Sequence, residues 1–260
     1  GVGTCLTNRN KYFNELFKVI LLTAIAKSTS ERYIDCNIVL GLPIQYFKEK
    51  DFKQRVIDTF KDYKEENITV DGVSKTINIH NVNVWLEGGI VTLFAEKFID
   101  KKVVIIDIGG YTVDIIEFIY NKPQANKTEM KGVLKLKNKI LENVNIDNNA
   151  TIEDIDDILD AIINRKEYII NKNPIDINKY QSIIMVYLNE IFNILNVSFN
   201  LDDKLLLFIG GGSILLEKYI KEFDKDYNLE IIKDEFINAR TFQDLSNELY
   251  RELEKESKNS

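Results

Sequence analysis

Residues that build disulfide frameworks or zinc sites are scarce, with two cysteines and one histidine among 260 residues. The cysteines, Cys5 and Cys36, form neither a CxxC motif nor another metal-binding spacing. A disulfide framework or a cysteine-based metal site is therefore not expected. We expect both side chains to be free thiols in a reducing cytosol.

Long hydrophobic runs and blocks of basic residues are also lacking. The longest apolar segment, 16–26, is interrupted by Lys18 and is too short to cross a bilayer, so it predicts a core helix. No signal peptide is recognisable. The net charge is −7 and no basic block stands out, which argues against direct binding to nucleic acid. These features indicate a cytoplasmic protein without membrane contacts.

The chain is long enough for one large domain or two smaller ones, and its apolar patterns predict the main elements. The segment 121–129 is polar, contains Pro123, and is expected to be a loop. The turn Asp71-Gly72 predicts a hairpin. Predicted helices lie at 10–27, 46–63, 88–98, 132–144, 152–163, 176–196, 214–223 and 241–255. Predicted strands lie at 34–40, 68–70, 75–84, 103–106, 113–120, 205–209 and 229–232.

The segment 101–120 places a glycine-containing tip between two apolar strands. The tip contains Asp107, Gly109, Gly110 and Thr112. Adjacent glycines let backbone N–H groups approach an anion, and a carboxylate at a strand end is a hard oxygen donor suited to Mg²⁺. An ordinary tight hairpin, in which these residues only make the turn, would show the same pattern.

A second glycine site follows the apolar run 205–209 and leads into a predicted helix. It consists of Gly210, Gly211, Gly212 and Ser213. Three consecutive glycines cost chain entropy, which favours a ligand that approaches the backbone over a plain strand-to-helix turn. No Lys-Ser or Lys-Thr pair follows, and the GxGxxG spacing is absent, so neither a Walker loop nor a dinucleotide fingerprint is present.

Taken together, the two glycine sites resemble motifs of the actin-like ATPase superfamily, which includes actin, chaperone ATPases and sugar kinases. The segment 104–114, Val-Ile-Ile-Asp-Ile-Gly-Gly-Tyr-Thr-Val-Asp, is similar to its second phosphate motif. The segment 208–213, Phe-Ile-Gly-Gly-Gly-Ser, is similar to its adenosine motif. The strand that ends in Gly-Leu-Pro at 41–43 and the segment 238–242, Asn-Ala-Arg-Thr-Phe, resemble ParM-type plasmid-segregation actins.

This resemblance implies an α/β fold of the actin/ribonuclease-H type, with two similar domains around a nucleotide cleft. We expect domain I at 1–99, domain II at 100–236, and a C-terminal helix at 237–260 that returns to domain I. The superfamily opens with a hairpin that carries its first phosphate motif, and residues 1–4 instead resemble the stretch after it. The first domain is therefore expected to be incomplete.

The resemblance also implies roles for individual residues. Asp107 would hold Mg²⁺ through water, and Glu87 would orient the water that attacks the γ-phosphate. The nucleotide, ATP or GTP, would be held by the tip, the adenosine motif and the start of the helix near the ribose. These nucleotide-binding residues are Gly109, Gly110, Tyr111, Thr112, Gly132, Gly210, Gly211, Gly212 and Ser213.

The function expected from this resemblance is that of an ATPase that polymerises with ATP and Mg²⁺ into filaments. Such a filament segregates plasmid or phage DNA through a DNA-binding adaptor, without touching DNA itself. Two alternatives stay open. The chain could be a non-polymerising sugar kinase, acetate kinase or exopolyphosphatase-type enzyme of the same superfamily, or a remnant that binds nucleotide poorly.

Overall fold

A computed structural model describes residues 9–87, 98, 100–120 and 122–259, with side-chain surroundings as far as Arg251. The chain divides into two compact units. Unit 1 comprises Gly1–Glu87 and Ala239–Ser260, and unit 2 comprises Gly88–Asn238. Each unit has its own sheet and its own hydrophobic cluster.

The sheet of unit 1 contains β1 (Tyr33–Leu42), β2 (Glu66–Val70) and β3 (Val73–Leu86) in the order β1-β3-β2. β1 runs parallel to β3, and β2 is antiparallel to it. Asp71 and Gly72 connect β2 to β3 with φ values of 52° and 79°. Positive φ at both positions is the hallmark of a type I′ turn, so the predicted hairpin is confirmed.

The helices of unit 1 that precede this hairpin are shorter than their apolar patterns suggest. They are α1 (Glu15–Lys27), α2 (Ile44–Phe47) and α3 (Lys50–Lys61). The first is preceded by a 3₁₀ turn and starts where the Asn14 side chain accepts a hydrogen bond from the N–H of Leu16. An Asn cap of this kind favours a helix start at that point and not earlier. Side chains of all three helices, among them Phe52 and Val56, share a hydrophobic cluster with the sheet.

The strands of unit 2 are β4 (Lys102–Ile108), β5 (Val113–Ile119), β6 (Lys122–Glu129), β7 (Ile169–Ile170), β8 (Asn173–Pro174), β9 (Leu205–Ile209) and β10 (Leu229–Ile231). Five of them form one sheet in the order β10-β9-β4-β5-β6. β4 is antiparallel to β5, as predicted for the glycine-tipped hairpin, and parallel to β9. A separate two-stranded pair, β7 with β8, was not predicted.

The prediction of a loop at 121–129 is wrong. Lys122–Glu129 forms the edge strand β6 and pairs with β5. An edge strand tolerates Pro123 and needs no apolar alternation, so its pattern resembles that of a loop. β3 ends with Trp85 and Leu86. The helix predicted to start at the glycines after Glu87 lies almost entirely outside the described residues.

The helices of unit 2 pack against β4 and its neighbours. Val104, Ile106 and Ile108 of β4 lie in one buried cluster with side chains from the three longest helices. The helices are α4 (Val133–Asn148), α5 (Asp156–Asn164), α6 (Ile177–Ser198), α7 (Gly211–Leu215) and α8 (Glu217–Ile220). The last helix, α9 (Ile237–Asn259), continues from the end of unit 2 into unit 1. Within the described part of the chain, no helix combines the length and apolar character needed to span a membrane.

Candidate functional site

The two predicted glycine sites lie side by side at the carboxyl ends of β4 and β9, two inner strands of the unit 2 sheet. β4 and β9 are parallel neighbours, and Asp107 is paired with Ile209 in their register. The two strands therefore end at the same level of the sheet. Gly210, the residue after β9, lies beside the side chain of Asp107. The register thus brings the hairpin tip and the triple glycine to the same place.

The hairpin tip is held by the start of α4. Three backbone N–H groups at the helix start donate hydrogen bonds to carbonyl oxygens of the tip, which satisfies donors that a helix otherwise leaves unpaired. A further bond, from the N–H of Gly109 to the carbonyl of Thr112, closes the turn. The three bonds run from Gly132 to Tyr111, from Val133 to Gly109 and from Leu134 to Gly110, each 2.9 Å long.

These bonds set the direction of the N–H groups in the tip. All described peptide bonds are trans, so each N–H points opposite to the carbonyl of the preceding residue. The carbonyls of Gly109, Gly110 and Tyr111 point to α4. The N–H groups of Gly110, Tyr111 and Thr112 therefore point away from the helix, which suits an anion such as a phosphate.

Gly132 permits the close approach between α4 and the tip. A Cβ atom on this buried residue would lie 2.3 Å from the carbonyl oxygen of Gly110 and 2.4 Å from the carbonyl carbon of Tyr111. No side chain fits there without moving backbone. Gly132 therefore acts here as a packing residue that seats the tip on the helix.

The three consecutive glycines have different surroundings. Gly210 has a φ of 85°, and a Cβ on it would lie 2.3 Å from Oδ1 of Asp107. A Cβ on Gly212 would lie 2.4 Å from Cγ2 of Ile108. Gly211 is exposed, and no atom of another part of the chain lies within 4 Å of the place that a Cβ would take. Packing thus explains two of the glycines, whereas the third leaves room for a ligand.

The side chain of Ser213 points into the fold. It is fully buried, and its hydroxyl donates a 2.6 Å hydrogen bond to the carbonyl oxygen of Ile209. This bond ties the start of α7 to the end of β9. In this structure the hydroxyl supports the glycine turn and is not directed to its surface.

Asp107 carries the carboxylate at the centre of this cluster. Burial raises its pKa to about 6, with a smaller rise from the charge of Asp114 and an opposing effect of the hydrogen bond from Asn238. The amide Nδ2 of Asn238 donates to Oδ2 of Asp107 over 3.0 Å. A carboxylate whose charge is poorly compensated is prepared to accept a cation.

Asp114 lies opposite Asp107 in the β4–β5 ladder, and two threonine hydroxyls satisfy its carboxylate. Thr112 donates to Oδ2 over 2.8 Å, and Thr128 of β6 donates to Oδ1 over 2.6 Å. Asp114 therefore fixes the hydroxyl of Thr112 at the tip. Sequence reasoning does not identify Thr128, because its polar, proline-containing segment predicts a loop.

Glu87 belongs to unit 1, where it directly follows β3. Its N–H donates to the carbonyl of Leu42 over 2.9 Å. A Cβ on Gly41 would lie 2.6 Å from Cγ of Glu87, so this glycine gives the glutamate side chain its space. Burial, with a contribution from the charge of Glu87, raises the pKa of Tyr12 far above its ordinary value. The Tyr12 hydroxyl stays neutral and donates to the carbonyl of Gly41.

A groove of about 590 Å³ opens beside the tip. Gly110 and Tyr111 line one end, and the outer side of α4 forms a wall. A volume in this range is sufficient for a small-molecule ligand. The remaining lining residues are Met130, Leu134, Lys135, Asn138, Lys139 and Glu142.

The residues around Asp107 fit a magnesium ion that arrives together with a nucleotide. No three His, Cys, Asp or Glu side chains among the described residues are grouped closely enough to hold a metal ion. Mg²⁺ commonly takes one or two carboxylates and completes its coordination with water and substrate phosphates. Asp107 supplies such a carboxylate next to N–H groups suited to phosphate.

Comparison with known proteins gives both a sequence and a structural likeness. Residues 2–89 match the family described as "Actin like proteins N terminal domain". No curated protein matches the sequence significantly.

Similar solved structures include the apo ParM protein of pSK41, with 17% identity and a TM-score of 0.72 over 97% of this chain and 76% of that one. An archaeal actin homologue in complex with ADP has 18% identity and a TM-score of 0.73, over 95% and 84% of the two chains. A 15-stranded ParM filament from Clostridium botulinum has 20% identity and a TM-score of 0.64, over 94% and 76%.

Proposed function

The chain has an actin-like fold and resembles ParM-type actins, and on this premise we propose that it is an ATPase that forms filaments. Its nucleotide is ATP or GTP, bound together with Mg²⁺. The filaments segregate plasmid or phage DNA in the cytoplasm through a DNA-binding adaptor. The net charge of −7 is in keeping with an adaptor that makes the DNA contacts.

One observation carries the nucleotide-binding part of this proposal. The tip at 109–112 and the glycines at 210–212 flank Asp107 at a single edge of the unit 2 sheet. Packing accounts for Gly210 and Gly212, but it does not require a glycine at the exposed position 211. Outward N–H groups, an open glycine at 211 and a carboxylate together suit a polyphosphate with its cation.

Each residue then has a defined task. The N–H groups of Gly110, Tyr111 and Thr112 bind phosphate oxygens, and Gly211 lets the nucleoside approach the backbone. Asp107 orients the hydrated cation. When bound, Mg²⁺ neutralises phosphate charge that develops during phosphoryl transfer. Glu87 orients the attacking water.

Self-association is supported by the kinds of protein that share the fold. Solved structures similar to this chain include ParM and Alp filaments. We propose that nucleotide binding drives assembly of this chain in the same general way and that hydrolysis limits the lifetime of the filament.

Light scattering with ATP and Mg²⁺ tests the proposal. A rise that needs both components, together with phosphate release, is expected for the wild-type protein. Asp107→Ala should abolish hydrolysis, and full ATPase activity in this variant would remove Asp107 from its metal role. Phosphoryl transfer to a small acceptor without scattering would identify a kinase instead. Absence of ATP binding would overturn the proposal.

A further inference from the structure

Asn238 lies far from Asp107 in the sequence but adjacent to it in the structure. It occupies the first turn of α9 and is the last residue of unit 2. Its Nδ2 atom donates a 3.0 Å hydrogen bond to Oδ2 of Asp107. The first turn of α9 is therefore connected directly to the carboxylate at the centre of the candidate site.

The two oxygens of the Asp107 carboxylate have different neighbours. Oδ2 accepts the hydrogen bond from Asn238, whereas Oδ1 lies on the side of Gly210. The amide thus selects one orientation of the carboxylate. Without it, the side chain would have to lose rotational freedom when it engages a cation, which lowers affinity.

The chemistry of an amide suits this task better than that of a charged donor. A lysine or arginine at 238 would form an ion pair with Asp107 and compete with a metal ion for its charge. The asparagine amide donates a hydrogen bond and carries no charge. It can therefore orient the carboxylate and leave its negative charge available.

We propose that Asn238 is a positioning residue for Asp107, whose carboxylate would hold the Mg²⁺ ion. This inference rests on the proposed function, because it concerns the cation of the same nucleotide site. Outer partners that orient metal ligands typically change metal affinity about 10- to 100-fold when they are removed. Asn238 holds Asp107 in the orientation that the hydrated ion needs.

The experiment is a titration of MgCl₂ into the full chain with a fluorescent ATP analogue, alongside a titration of the analogue in EDTA. Asn238→Ala and Asn238→Leu both remove the donor, and either one suffices if the other fails to fold. We expect the half-saturating Mg²⁺ concentration to rise at least about tenfold, with affinity in EDTA unchanged within about twofold. Asn238→Gln keeps the amide and should restore most of the Mg²⁺ response.

Asn164→Ala is the matched control. Asn164 on α5 also donates its amide to a carboxylate, that of Asp160, but has no part in the candidate site. Its half-saturating Mg²⁺ concentration should equal that of the wild type.

The outcomes separate the inference from the proposed function. A half-saturating Mg²⁺ concentration within twofold of the wild type in the folded Ala or Leu variant would overturn the positioning role alone. The positioning role would also be overturned if the variant lost as much affinity for the analogue in EDTA as in Mg²⁺, because that would reveal general damage to the site. If the wild-type protein bound the analogue without any Mg²⁺ dependence, or not at all, the proposed function would fail as well.

Discussion

A Cβ atom on Gly210 would lie 2.3 Å from Oδ1 of Asp107, so the carboxylate occupies the space that any other residue at 210 would need. The φ of 85° at this position adds a backbone preference for glycine. Gly210→Ala is therefore expected to destabilise the protein by about 2–5 kcal/mol, from strain and overpacking together. Urea unfolding measures this loss, and a free energy of unfolding equal to that of the wild type would contradict it.

Gly211→Ala provides the contrasting variant. Open space surrounds the Cβ position of Gly211, so the free energy of unfolding should change by less than about 0.5 kcal/mol. If a nucleoside approaches this backbone, the added methyl group should still lower ATP affinity, by at least about tenfold. Isothermal titration calorimetry measures the affinity. Unchanged affinity would remove Gly211 from the nucleotide site, without affecting the expectation that this substitution leaves stability unchanged.

Asp107→Asn should stabilise the protein in the absence of nucleotide. The folded-state pKa of about 6 exceeds the ordinary value of 3.8, so the ionised carboxylate is disfavoured in the fold. This penalty, about 1–3 kcal/mol, is fully present above pH 6 and shrinks as pH falls from about 6 to 4. It disappears below the ordinary value of 3.8, where both states bind the proton. The amide substitution removes the penalty and leaves an oxygen that can accept from Asn238.

Thermal unfolding at several pH values tests this expectation. The variant should melt at a higher temperature than the wild type at pH 7.5, and most of the difference should be lost by about pH 4. A difference that is constant with pH would show that the titration of Asp107 is not its cause. ATP and Mg²⁺ should raise the melting temperature of the wild type but not that of the variant, because the variant lacks the carboxylate that would hold the cation.

Glu87→Ala should slow hydrolysis without weakening ATP binding. Alanine removes the side-chain oxygens that would orient the attacking water, and it fits in the space beside Gly41 that the glutamate side chain occupies. We expect a fall in the hydrolysis rate of at least about tenfold, with affinity within about twofold of the wild type. Phosphate release and equilibrium binding measure the two quantities. A loss of affinity with an unchanged rate would contradict the assigned role.

Lys204→Met should strongly destabilise unit 2. Lys204 and Glu117 form an ion pair at 8% and 9% exposure, and the methionine would leave the carboxylate buried without its partner. A loss of about 3–5 kcal/mol is expected. The double variant Lys204→Met/Glu117→Leu should recover most of it. If the double variant were no more stable than Lys204→Met, the unpaired charge would not be the reason.

The sequence was sufficient to predict the elements that form the candidate site. β9 has the predicted bounds, and β4 and β5 have the predicted antiparallel arrangement. Buried strands rich in Ile, Val and Leu, closed by glycines, give strong local signals. The actin-like fold expected from the two glycine motifs is confirmed by the structural likeness. The roles of the individual site residues stay predictions.

Two contacts between distant segments could not be predicted, that of Asn238 with Asp107 and that of β6 with β5. Nothing near Asn238 indicates that its amide meets Asp107, because that contact depends on where α9 begins in the fold. The strand β6 was missed for a related reason, since its stability comes from pairing with β5 and not from an apolar pattern. The sequence also presents the glycines at 210–212 as equivalent, whereas neighbouring elements distinguish them.

The backbone of Gly110 and Tyr111 fills the place where residue 132 would carry a side chain. Exposed positions of α4 such as Ile146 can accept other side chains, because these extend into solvent. A change at 132 would first need a rebuilt turn at 110–111. In any relative that seats an Asp-x-Gly-Gly tip on a helix in the same way, we therefore expect a glycine at the position of Gly132.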